Sequence, residues 1–568
     1  MILHLFTMRL SFKLSLFALL MAGLFACGKK DTPAPAPPPP PPPAPSNFTI
    51  TSWTVDNRAL QSIYYDVKRA PAIRLNFPVA LNKSTASSGI SLASVPGSAV
   101  SFSTSFINGD SSVLVTPDAP LNALTKYKVS VNTQLKSAAG GSLSTASDFV
   151  MVTSIDSSDK FTVISDTALV ELVQKQTFRY FWDFAHPVSG LARERNTSGD
   201  VVTSGGSGFG IMAILTGAHR NFITRAQALT RLQTMVSFLK NTAQQFHGAY
   251  PHWLNGATGA VVPFSAKDNG ADLVETSYLM QGLLCARQYF NGTDAAEAGL
   301  RADINTIWQR VEWNWFRRGG ENVLYWHWSP DYNWDMNMPI KGWNECLITY
   351  VLAASSPGFS IPKTVYDNGW ASNGGMKNGN SYYGYTLPLG PPQGGPLFFS
   401  HYSFLGINPN SLTDAYANYQ QQVVNHTRIN YEYCKANPRN FFGYSDQCWG
   451  LTASDIPNGY TASSPTNDVS VIAPTAALSS FAYTPAESMK ALRFFYYKLG
   501  DKLWGEYGFK DAFSLQEVWF ADSYLAIDQG PIVVMIENYR SGLLWNLFMS
   551  CPEVKTGMTT LGFTSPNL

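Results

Sequence analysis

The sequence predicts a two-part protein: an all-β sandwich of about 100 residues, then an all-α double ring of inner and outer helices, an (α/α)6 toroid. Three observations predict it. From residue 47 to about 155, apolar residues alternate with period two between turn signals. From about 165 onward the period becomes helical. Within that region amphipathic stretches alternate with stretches that are apolar or small on every side. A helix with one polar face covers a core, whereas a helix with none must lie inside it.

Ahead of these parts, Met8-Arg9-Leu10-Ser11-Phe12-Lys13 forms a basic start and residues 14–26 an apolar run too short to span a bilayer. Met8 also serves as an initiator, since residues 1–7 add nothing to this signal. Leu24-Phe25-Ala26-Cys27-Gly28 resembles a bacterial lipobox, which makes 1–26 a lipoprotein signal peptide and Cys27 the lipidated residue of an outer-membrane anchor. Residues 27–46 are a tether. Its DTPAPAPPPPPPPAPS segment cannot build a core and reads as a polyproline II spacer on the order of 50 Å long.

The sandwich is expected over 47–156. Runs 72–78, 99–103 and 127–132 alternate, and Asn108-Gly109-Asp110 and Ala139-Gly140-Gly141 mark turns. Phe77-Pro78-Val79, Val115-Thr116-Pro117 and Leu121-Asn122-Ala123-Leu124-Thr125-Lys126-Tyr127 resemble bacterial Ig-like domains. With no ionisable cluster, this part reads as a spacer or weak binding module.

The helical domain is expected over 160–568. Amphipathic stretches at 166–185, 224–242, 293–311, 411–433 and 485–499 alternate with apolar ones at 208–218, 272–286, 345–354, 471–481 and 531–549. That gives five pairs, with the sixth not evident. Residues 356–410 are rich in Gly, Pro and Asn and read as a long loop over a cleft.

A formal charge of +1 gives no reason to expect nucleic acid or an acidic surface as partner. The cysteines left after Cys27 (Cys285, Cys346, Cys434, Cys448 and Cys551) match no metal motif, and no metal or other cofactor is expected. A Cys434–Cys448 disulfide is compatible with an oxidising compartment. The chain is expected to act as a monomer.

The chemistry lies in carboxylates that open apolar helices. Asp528 precedes Gln529-Gly530-Pro531, and Pro531 suits the first position of a helix. Asp268, Asp272 and Glu275 open a second helix, and Gly342-Trp343-Asn344-Glu345 a third. Asp is also a preferred N-cap, so any one of these could be structural. Inner helices that run parallel would bring them to one face with His252, Trp253, His401 and Tyr402. The field of a helix N-terminus favours an ionised Asp528, which suits a general base. Apolar surroundings beside Trp343 favour a protonated Glu345, which suits a general acid. Such a pair is what glycosidic-bond hydrolysis requires. The acids 268, 272 and 275 need cations, Lys267 or a distant Arg, or else sugar hydroxyls. Arg195 and Arg540 are further polar contacts. The rings of Trp326, Trp328 and Trp334 lie in loop-like sequence and suit the flat faces of sugars.

Residues 170–568 resemble the bacterial glucoamylase-like family, glycoside hydrolase family 144, which contains endo-β-1,2-glucanases. The resemblance rests on Phe178-Arg179-Tyr180-Phe181-Trp182, TSGGSGFG at 203–210, Asp272-Leu273-Val274-Glu275-Thr276-Ser277, Gly342-Trp343-Asn344-Glu345, the 449–455 and 473–477 segments, and Ile527-Asp528-Gln529-Gly530-Pro531 through Arg540. It implies an (α/α)6 barrel that hydrolyses β-1,2-glucan with inversion and without metal, Glu345 as acid, Asp528 as base, and Asp268, Asp272 and Glu275 in the substrate cleft. Asn255 stands where the family commonly has an acid. The second reading is a non-catalytic, glycan-binding surface lipoprotein, which would need the aromatic rings but not the acids.

Overall fold

The computed structural model describes residue 39 and residues 43–568. The apolar run 14–26, the lipobox Cys27 and most of the proline tether lie outside them.

Eight strands form the sandwich: β1 (Ser52–Val55), β2 (Ile63–Val67), β3 (Ile73–Asn76), β4 (Ile90–Ser94), β5 (Phe102–Ile107), β6 (Ser112–Pro117), β7 (Lys126–Val131) and β8 (Ser147–Thr153). They make two four-stranded sheets, ordered β1-β3-β6-β5 and β2-β8-β7-β4, with β2 and β8 parallel and the other pairs antiparallel. Alternation puts Ile73, Leu75, Val113, Val115, Val129 and Met151 between the sheets. The sandwich and the helices form one compact unit over residues 47–568. Leu124 enters the helical core, Tyr65 stacks on Phe442, and Lys126 pairs with Glu517 at 3.2 Å.

The helical domain contains α1 (Asp166–Trp182), α2 (Ser204–His219), α3 (Arg225–Asn241), α4 (Leu273–Tyr289), α5 (Ala295–Arg310), α6 (Leu347–Ser355), α7 (Tyr419–Ala436), α8 (Pro474–Leu478), α9 (Pro485–Arg493), α10 (Ala526–Arg540), α11 (Leu543–Met549) and α12 (Pro552–Leu561). Helices α2, α4, α6, α8 and α10 are buried along almost their whole length and form the inner ring, while α1, α3, α5, α7 and α9 keep a solvent face. The glycines of α2 matter at one crossing. A Cβ on Gly208 would lie 2.1 Å from the Tyr278 carbonyl oxygen, and one on Gly282 would lie 2.2 Å from that of Gly208, so α2 and α4 meet backbone to backbone.

The sixth inner element is two short 3-10 turns, Leu397–Ser400 and Ser403–Leu405. The first packs against α7, the second against α6 and α10. Residues 356–410 are therefore not simply a loop over the cleft. Their end completes the ring, and 3-10 turns leave no 3.6-residue period to read. The C-terminal α12 covers α6. Cys434 and Cys448 are buried free thiols, so the expected disulfide is not formed. Among the described residues no helix is long and apolar enough to cross a membrane.

Candidate active site

The N-terminal ends of the inner helices surround a cavity of about 420 Å³. Thr203 precedes α2, Glu275 lies in the first turn of α4, Glu345 stands two residues before α6, and Ile527 is in the first turn of α10. Aromatic rings complete the wall: Trp253, Phe264, Tyr278, Trp326, Phe398, Tyr402 and Tyr460, with Arg195 and His252 between them.

Asp272 is the N-cap of α4. Its Oδ1 accepts the N–H groups of Val274 and Glu275 at 3.0 and 2.9 Å. Capping does not exhaust it, because Oδ2 accepts from His252 Nδ1 at 2.9 Å and from Trp326 Nε1 at 3.2 Å. His327 Nδ1 lies 3.3 Å from Asp268 and 3.8 Å from Asp272. The cations of this acidic cluster are thus two histidines, while Lys267 pairs with Asp335 outside it. Burial opposes the charge on His252, but Glu275 and Asp272 outweigh it and hold the imidazolium to about pH 9. Burial likewise works to raise Asp272, and the charges of His327 and His252 overcome it, so Asp272 stays below the usual carboxylate range. Glu275 is pushed up by burial and by Asp272, although Gly205 N–H donates to its Oε2 at 2.9 Å. Ligand atoms of His252, Asp268 and Asp272 lie within 4.8 Å of one another, close enough for a metal. Asp272 already gives both its oxygens to the helix cap and to His252 and Trp326.

Glu345 is half-buried on the cavity wall. Its main-chain oxygen is anchored by the Ser403 hydroxyl, and Asn344 Oδ1 accepts Cys346 N–H at 3.0 Å. Burial first, then the charges of Glu275 and Asp272, push its carboxyl up to about 7. A proton stays on it where an ordinary Glu has none.

Asp528 occupies the first turn of α10 rather than the residue before it, because the helix begins at Ala526 and Pro531 is inside it. Its carboxylate sits just beneath the wall formed by Ile527, Tyr402 and Tyr460 and does not line the cavity itself. Burial and then Asp511 raise it well above the carboxylate range. Asp511, Asp455 and Tyr460 surround it, and none of these stood out in the sequence as a site residue. Arg195 reaches into this group from the cavity edge, with Nε 2.9 Å from Glu194 and Nη1 3.2 Å from Asp455.

Four expected contacts lie elsewhere. Trp343 is buried against Trp370, Phe404 and Tyr419, its indole turned into the core ahead of α6. His401 is buried and bonded to Ser480 at 3.0 Å; burial, with His426 beside it, lowers it to about 3, so it is a neutral packing residue. Arg540 ends α10, roughly 18 Å along the axis from Asp528, where it donates to Gln174 and pairs with Glu171. Asp268 is buried, 3.3 Å from His327 Nδ1, and, like Asp272, is not on the cavity wall. Of the loop tryptophans only Trp326 lines the cavity, whereas Trp328 and Trp334 pack on Trp315. Asn255 caps a turn, accepting from Ala257 and Thr258 N–H, which is what an Asn at that position is suited to do.

Acids and aromatic walls at the N-terminal mouth of the helical ring define the class, an (α/α)6 toroid with an acidic, aromatic-walled cleft behind a β-sandwich. The "putative glucoamylase" family matches residues 337–552, and a bacterial Ig-like domain matches 46–154. An endo-β-1,2-glucanase from Chitinophaga pinensis, solved with sophorotriose and glucose, is 54% identical over 72% of this chain and 100% of its own, with a TM-score of 0.70. A β-1,2-glucanase from Parabacteroides distasonis is 37% identical over 92% of this chain and 73% of its own, with a TM-score of 0.69. An exo β-1,2-glucooligosaccharide sophorohydrolase (non-reducing end) of the same organism is 47% identical over 418 residues, 70% of this chain; the chain spans 58% of that relative's length. The chain belongs to the glucoamylase-like family, glycoside hydrolase family 144.

Proposed function

We propose that the protein is a glycoside hydrolase that cleaves β-1,2-linked glucan with inversion. In this reading Glu345 protonates the leaving oxygen and Asp528 takes a proton from the attacking water. The observation that carries it is Glu345: a carboxyl held protonated to about pH 7 on the wall of a sugar-sized cavity. A simple binder has no need of it, since an ionised or amide side chain would bond sugar hydroxyls as well. The substrate class comes from the relatives, which are described as acting on β-1,2-glucans and their oligosaccharides. Arg195, Trp253, Trp326, Tyr402 and Glu275 on the cavity wall are assigned to holding the sugar, with Asp272 fixing His252 and Trp326 from behind.

The test is incubation with linear β-1,2-glucan, following new reducing ends and the anomer that appears first. Release of α-anomer by wild type, and its loss in Glu345→Gln, is expected. Glucan left intact, or β-anomer appearing first, would overturn the proposal. The lipobox further supports a protein tethered through Cys27 to the outer membrane, where Cys27→Ala would release it to the soluble fraction.

A further inference from the structure

Asp511 and Asp528 are each only 3% exposed. Their carboxyl groups are in hydrogen-bond contact with each other. Both oxygens of Asp528, and Oδ1 of Asp511, have no donor among the described residues. The remaining oxygen, Asp511 Oδ2, accepts the Asp455 N–H at 2.7 Å. Among the described residues no cation touches the two. Arg195 directs its fork to Glu194 and Asp455. Thr475 Oγ1 donates to the main-chain oxygen of Asp528, which fixes the backbone and not the carboxyl. Gln529 donates to the Phe509 carbonyl at 2.8 Å, fastening the Asp511 segment to α10. The other titratable groups facing the pair are Asp455 and Tyr460 from the 453–462 hairpin and Tyr402 from the 3-10 segment, with Glu345 and Glu275 beyond Tyr402.

We propose that Asp511 is a positioning residue for Asp528: the two carboxyls share one proton, and Asp511 keeps it while Asp528, just beneath the cavity wall, is ionised. Two touching carboxylates cannot both ionise in a dry site, and one proton between them supplies the missing donor. The assignment of which partner keeps it rests on the hydrolysis proposed above. Asp528 is the partner that lies against the cavity-wall tyrosines Tyr402 and Tyr460, so a proton released by the attacking water at that wall reaches it first, which favours the charge there and sends the shared proton to Asp511. In the bond-changing step the water oxygen bonds to the anomeric carbon as the glycosidic C–O bond breaks. Glu345 gives its proton to the leaving oxygen and the water proton passes to Asp528. The proton on Asp511 stays in place, and the cycle ends with Glu345 ionised and Asp528 protonated until solvent resets both.

Two readouts test this. Infrared difference spectra at neutral pH, wild type minus variant, are expected to show the same protonated-carboxyl carbonyl band lost in Asp511→Asn and in Asp528→Asn. A band lost only with Asp528 overturns the shared proton. Should Asp511→Asn fail to fold, Asp511→Ser takes its place. On β-1,2-glucan, the acidic limb of kcat/KM is expected to rise by about one pH unit in Asp511→Ala, which leaves Asp528 without a donor, and to move less in Asp511→Asn, whose amide still donates to Asp528. A limb unmoved in both overturns the positioning role. If wild type leaves the glucan intact, the hydrolase reading fails, and the infrared bands still decide the pair.

Discussion

His252 Nδ1 stands 2.9 Å from Asp272 Oδ2, while the other ring nitrogen of His252 is 4.0 Å from Glu275. One imidazolium thus holds together two acids at the start of α4, the N-cap Asp272 and Glu275 of the first turn, that would otherwise repel. The pairing makes the cluster compact, and it makes stability depend on pH. His252 is raised in the folded chain, so its contribution is complete below the unfolded value near 6.5 and is lost as pH climbs through about 9. A gap of on the order of 2–3 kcal/mol between wild type and His252→Gln at pH 6.5 is expected to close by pH 10. Urea denaturation across that range measures it, and a constant gap would show the charge to be irrelevant.

Glu345 also makes the fold lose stability as pH rises, but here the cause is burial of an acid rather than an ion pair. Its folded value of about 7 lies above that of an unfolded Glu, so the folded state binds the extra proton and loses stability as pH rises from about 4.5 to 7. Glu345→Gln cannot ionise. It is expected to melt higher than wild type at pH 8 and no higher at pH 4. The same variant should lose roughly 10²–10⁴-fold in kcat, with the alkaline limb of the wild-type profile near pH 7. Turnover within a few-fold of wild type would remove Glu345 from the chemistry.

Arg195 joins Glu194 to Asp455 on the 453–462 hairpin, whose Tyr460 covers Asp528. Arg195→Met leaves these acids without that cation, and activity should drop about 10–100-fold, which corresponds to about 1.4–2.7 kcal/mol. Arg195→Lys keeps the charge but not the two-pronged geometry and should fall between. Steady-state kinetics of the three proteins, beside their melting curves, distinguishes a local effect from unfolding.

Gly208 and Gly282 lie where α2 and α4 touch, with no room for a methyl group on either. Gly208→Ala pushes against a main-chain oxygen that no rotamer change can move. A loss of roughly 2–4 kcal/mol in denaturant unfolding is expected, at the upper range for overpacking. Alanine at Gly299 of α5, where a Cβ meets nothing within 4 Å, is the matched control and should be neutral or slightly stabilising.

Much of the architecture could be read directly, for a physical reason. Period two and period 3.6 are local consequences of which face is buried, so the sandwich strands and the five amphipathic–apolar alternations were visible. So was the gathering of acids at helix starts, because capping and catalysis both place Asp and Glu there. Asp272 caps α4 with one oxygen and meets His252 with the other. The sixth inner element escaped notice because its 3-10 turns have no amphipathic period.

The sequence alone determined the order of the parts, the helix ends that carry carboxylates, and the family resemblance. Tertiary structure decided which of those residues share a space. Asp455, Asp511 and Asp528 come from three segments with no common spacing, and their contact arises from ring closure. Trp343, His401 and Arg540 have the right chemistry, yet backbone direction turns them into the core or to the far end of α10. Side-chain type is written residue by residue; the protonation of Glu345 and Asp528 depends on burial and on neighbours brought from hundreds of residues away, and packing alone sets both.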